Sequence, residues 1–153
     1  MIAVVRPDGW DLPLLVHVGG AMLLVGTLVV AAAAFGGAWR QGEPAASAAL
    51  SRLGFRTITL GVIPSFVVMR IGAELIASKE DVDDDAAWVG VGYIVSDLGL
   101  LLLIDMTILG AVAYRRIRTR SGGSGAARAV TVLSALLILG YLVAVWAMAT
   151  KPT

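Results

Sequence analysis

Four long apolar runs separated by short charged segments constrain this chain more than any other feature. A helix needs about 20 mostly apolar residues to cross roughly 30 Å of hydrocarbon, and runs of that kind fall at about 13–39, 57–77, 88–114 and 129–150. In lipid no water is present to bond exposed backbone groups, so an open chain can cross only as helices. The runs take up most of the 153 residues, and 58% of the chain is hydrophobic against 15% charged. Little is left over for a soluble catalytic or nucleic-acid-binding domain. The expected fold class is all-α, a polytopic membrane protein with one four-helix transmembrane domain over 1–153 in an up-down bundle.

Local signals refine the borders. Pro13 suits the first turn of a helix, where its missing N–H costs nothing, and Trp10 and Trp39 flank the first run at headgroup level. The run is as long as a full span, and Arg6, Asp8 and Asp11 make a poor basic leader, so it reads as a membrane helix and not a signal peptide. Residues 40–56, with Pro44, read as a short interfacial helix or an extension of the second span. Pro64 removes a backbone donor inside that span and predicts a kink. An acidic loop runs from Lys79 to Asp85, and a flexible Ser-Gly stretch over 121–125 precedes the fourth span. Gly19, Gly20, Gly26, Gly36 and Gly37 in the first span, with Gly90, Gly92, Gly99 and Gly110 in the third, let helix backbones approach closely.

The net charge is only +1, but the charges are sorted by loop. Arg40, Arg52 and Arg56 lie between spans one and two; Arg115, Arg116, Arg118, Arg120 and Arg128 lie between three and four. By the positive-inside rule these loops are cytoplasmic, which places both termini and the acidic loop outside. Anchoring the topology suffices to explain the arginines; Arg115, Arg116, Arg118 and Arg120 are also candidates to hold anionic lipid headgroups. No nucleic-acid role is expected. The chain has no cysteine, so disulfides and thiolate chemistry are excluded.

Ionisable side chains within spans are costly, and each is a candidate for function. Five stand out: His17, Arg70, Glu74, Asp97 and Asp105. The expected topology gathers the first four in the outer half of the membrane. Arg70 and Glu74, four residues apart, share a helix face, and Arg70 is the natural partner for Asp97. Such a network either locks spans two and three together or lines a polar cavity for a ligand or ion. Asp105 is expected to pair with Arg52 or Arg56, or to serve with Asp97 as a step in a proton path. His17 is the only histidine; imidazole ligates haem iron or copper, or carries protons near neutral pH. A haem there would need Met22, Met69, Met106, Met148, a water or another subunit's histidine as second axial ligand. Nothing resembles a phosphate-binding loop, a nucleophile triad or a zinc motif.

The stretch Leu14-Leu15-Val16-His17-Val18-Gly19-Gly20-Ala21-Met22-Leu23-Leu24-Val25-Gly26 resembles the first helix of small bacterial membrane proteins in which a histidine precedes small residues and a later glycine. These are the predicted integral membrane proteins of the DUF2269 type and, more distantly, the CopD-like copper-resistance and HemJ-like protoporphyrinogen oxidase families. The acidic loop followed by Trp88 also fits the DUF2269 pattern. The resemblance implies a bacterial cytoplasmic (inner) membrane location and, from the haem-associated relatives, a haem-binding role for His17. The histidine set of a haem oxidase and a Met/His-rich exterior for copper are both missing from the chain. The primary expectation is therefore a binding or accessory membrane protein, able to form homo-oligomers. Its rivals are a haem-binding redox protein and a small proton-coupled transporter or channel using Asp97 and Asp105.

Overall fold

The computed structural model describes residues 11–78 and 87–150. The acidic loop, Trp10 and Lys151, and the side chain of Trp88, lie outside the described residues. The helices are α1 (Asp11–Arg40), α2 (Pro44–Thr57), α3 (Ile63–Ala77), α4 (Ala87–Arg118) and α5 (Ser124–Thr150). A π-helical turn over Ile58–Val62 joins α2 to α3 without a break. Pro44–Ala77 is thus one rod, and the protein has four helices long and apolar enough to cross a membrane. Among the described residues there is no strand.

The second rod settles the reading of residues 40–56. They contain the tight turn Gln41–Glu43 and then extend the second span down to Pro44, which occupies the first helical turn where it gives up no bond. Ser47 closes the hairpin by donating its hydroxyl to the Ala38 carbonyl at 2.6 Å, satisfying an acceptor at the end of α1. Pro64, for which the sequence predicts a kink, sits in the first turn of α3 just after the π turn. It has no N–H for the Leu60 carbonyl, and the turn before it widens so that the Ile63 N–H reaches the Ile58 carbonyl. The glycine-rich stretch is shorter than it reads. Arg120 itself takes the left-handed conformation that ends α4 (φ 54°), Gly122 and Gly123 follow at φ 95° and 113°, and α5 begins at Ser124.

The helices run up and down with α1 packed on the second rod and on α5, and α4 packed on α5. The ring closes between the second and third spans where α2 and the π turn pack on α4. Beyond the π turn, α3 stays with α1 and barely touches α4. Leu24, Leu28, Phe35, Ile58, Met106 and Val130 fill the centre, all fully enclosed. Outside, the helices stay apolar: Leu60 is 77% exposed, Met22 72% and Trp146 64%. A continuous coat of this kind is unstable in water and needs lipid as its solvent.

Candidate functional site

The site is built where α1 and α3 touch backbone to backbone. A Cβ on Gly20 would sit 2.6 Å from the Met69 nitrogen, and one on Gly72 would sit 2.5 Å from the His17 nitrogen. This double approach lets His17 reach across the seam, where Nδ1 lies 3.0 Å from the Met69 carbonyl. A carbonyl only accepts, so Nδ1 carries the hydrogen, and in the neutral ring Nε2 keeps its lone pair.

The next residue, Arg70, turns the other way, toward α4. Its Nη1 donates to the Ser96 hydroxyl at 2.8 Å and to Asp97 Oδ1 at 3.3 Å, while Nε lies 3.0 Å from Glu74 Oε1. The guanidinium also stands 5.2 Å from the centre of the Tyr93 ring. One side chain therefore bridges the stretch in which the two helices do not pack on each other. Sequence reasoning finds the arginine and both carboxylates; Ser96 and Tyr93 it misses, although each lies within one helical turn of Asp97.

The charges do not cancel. Two carboxylates face one guanidinium, and the remainder is negative. The Asp97 side chain is 71% exposed and that of Glu74 52%, against 31% for Arg70. The cluster also lies toward the end of the bundle away from the arginine loops. At about 1.5 Å of rise per residue, Glu74 and Asp97 each stand about 27 Å along their helices from Arg56 and Arg115, near the far border of a roughly 30 Å hydrocarbon layer.

Asp105 does not belong to this cluster. Among the described residues it forms no ion pair, with Arg52, Arg56 or any other base, because its rotation on α4 points it away from α2. It lines a groove between α4 and α5 with Ile108, Leu109, Arg128 and Val132. Between Asp97 and Asp105 the helix carries only glycine and aliphatic residues, Leu98 to Ile104.

The methionines expected as partners for a haem at His17 do not gather round it. Met22 points to lipid, Met106 accepts a hydrogen bond from Ser134 in the bundle centre, and Met148 packs on Gly92. Met69 is the one beside His17, and it is the Met69 carbonyl that takes the ring. Among the described residues no group of three histidine, aspartate, glutamate or cysteine side chains is placed to hold a metal ion.

The arginines expected to hold lipid headgroups, Arg115, Arg116, Arg118 and Arg120, are all exposed at or just beyond the end of α4. Arg118 also lies 5.6 Å over the Tyr114 ring and shares a groove with Arg52.

Fold and site together define a small polytopic four-helix membrane protein with an asymmetric charged seam toward one end of the bundle. No protein-family model, curated protein or solved structure matches the chain.

Proposed function

We propose that the chain is a binding or accessory protein of a bacterial cytoplasmic membrane, its termini outside, and that the Arg70 cluster receives a positively charged group at the outer leaflet. The observation that carries this reading is the imbalance at the seam. Arg70 holds one oxygen each of Glu74 and Asp97, and both carboxylates remain largely exposed in a cluster that is negative overall. Both carboxylates are open to their surroundings, so the cluster attracts a cation without the full cost of burial. A purely structural clamp needs only one carboxylate to neutralise the arginine; the second is the group left over for a ligand.

The reading is tested on the purified protein in lipid nanodiscs at constant ionic strength, following unfolding by tryptophan fluorescence. The probes are ethylammonium, tetramethylammonium and magnesium. A probe that binds only the folded state at ten times its dissociation constant adds about 1.4 kcal/mol of stability, which reads as a rise in midpoint of a few degrees. At least one probe is expected to raise the midpoint of the native chain and to leave Asp97→Asn unmoved. Equal responses of the two proteins to every probe refute the site.

A further inference from the structure

At the opposite, arginine-rich end, the seam between the second and third spans opens into a groove of about 430 Å³ lined by Ala48, Ala49 and Arg52 of α2 and by Tyr114 and Arg118 of α4. We propose that this groove seats the phosphate headgroup of an anionic phospholipid. The site is independent of the Arg70 cluster, which lies at the other face of the membrane.

Three observations carry it. The first is charge: two guanidiniums from different helices converge on one groove, and among the described residues neither pairs with a carboxylate. Glu43, the acidic residue nearest Arg52 along the chain, forms no ion pair with either. Guanidinium forks match phosphate oxygens with two parallel bonds. The second is preorganisation. Arg118 rests on the Tyr114 ring, and that ring is itself stacked on Phe55, with centroids 5.7 Å apart and planes 4° from parallel. An arginine already held in place loses less freedom when it binds.

The third is depth. Arg52 stands one turn beyond Arg56 toward the arginine-rich end and Arg118 one turn beyond Tyr114, which is the headgroup level if the apolar layer begins at Arg56 and Arg115. Two alanines leave the floor small-sided, and exposed Leu53 and Leu60 on the same helix offer acyl chains an apolar flank. A soluble phosphate would gain nothing from that flank. Basic pockets between membrane helices suit anionic headgroups on the same physical grounds.

The test is native mass spectrometry of the full chain released from detergent, with phosphatidylglycerol and phosphatidylcholine of identical chains competing. The native protein is expected to retain phosphatidylglycerol in preference. Arg52→Gln/Arg118→Gln is expected to lose that preference by roughly thirtyfold, two arginines' share of attraction to an anionic headgroup. Arg116→Gln/Arg120→Gln removes equal charge from the same helix end outside the groove and is expected to keep it. Helix content and a monodisperse profile confirm that both variants fold, as expected for exposed side chains. Equal loss in the two double variants would mean a diffuse arginine belt and overturn the site. Displacement of the lipid by millimolar inorganic phosphate would mean a plain anion site and overturn the lipid assignment.

Discussion

A Cβ on Gly72 has nowhere to go: the atoms it would strike are the backbone nitrogen and Cα of His17, at 2.5 and 2.6 Å, and neither can rotate aside. Gly72→Ala must therefore push α1 from α3, and overpacking of this kind costs about 1–3 kcal/mol. Gly26 has nothing within 4 Å of its would-be Cβ, so Gly26→Ala should gain about 0.5–1 kcal/mol from helix propensity alone. Thermal unfolding in detergent separates the two, and opposite signs are expected. Residue type alone does not tell such glycines apart. Gly20 stands among the small residues of the first span and its close packing is legible as a class, but Gly72 shares its apolar run only with the distant Gly61 and has no neighbouring small residue but Ala73 to betray it. The charged residues divide in the same way. Arg70 with Glu74 is legible because i,i+4 spacing fixes a shared face, and Asp97 because a carboxylate in a span wants a counter-charge. The expected pairing of Asp105 fails because it depends on how α4 is rotated in the bundle, which no spacing within that helix encodes.

The second span turns on one element, the π turn over Ile58–Val62. Were it α-helical, every residue beyond it would rotate by about 100° relative to α2. Gly54 packs on Phe35 below the turn, while Gly72 packs on His17 and Arg70 reaches Asp97 above it. Both sets of contacts coexist only in the π frame. The proline is then a consequence the frame tolerates more than its sole cause. Pro64→Ala restores an amide that can compete for the Leu60 carbonyl, yet the packing on either side should hold the turn in place. Because the chain has no cysteine, Arg70→Cys and Ser96→Cys, whose native side chains meet between α3 and α4 at 2.8 Å, report on this directly through a short bifunctional thiol reagent. The pair should cross-link in the Pro64→Ala background as fully as with proline present. A fall of more than half in cross-linking yield would show that the proline, and not the packing, sets the frame. Pro64 announces an irregular helix in the sequence; that the irregularity is a π turn is decided by α1, through contacts distant in the chain.

Across the whole molecule the two ends of the bundle differ in kind. One carries eight arginines, on or beside the loops that join spans one to two and three to four. The other carries the His17 seam and the negatively biased Arg70 cluster. The bundle itself is legible from four apolar runs, since lipid leaves helices as the only open-chain solution. Its orientation rests on charge alone: Lys and Arg are held on the cytoplasmic side during insertion, whereas carboxylates contribute little. That argument puts the lipid groove inside and the Arg70 cluster outside, so the two proposed sites would work on different leaflets. The lack of cysteine makes the orientation measurable in cells. Gly42→Cys lies in the exposed α1–α2 turn, Ser124→Cys at the exposed start of α5, and Ser78→Cys just beyond α3 at the opposite end. A membrane-impermeant maleimide should label Ser78→Cys in intact cells, and should label the other two only after permeabilisation. The reverse pattern would move the Arg70 cluster to the cytoplasmic leaflet and break the positive-inside rule in a chain with an unusually strong bias toward it.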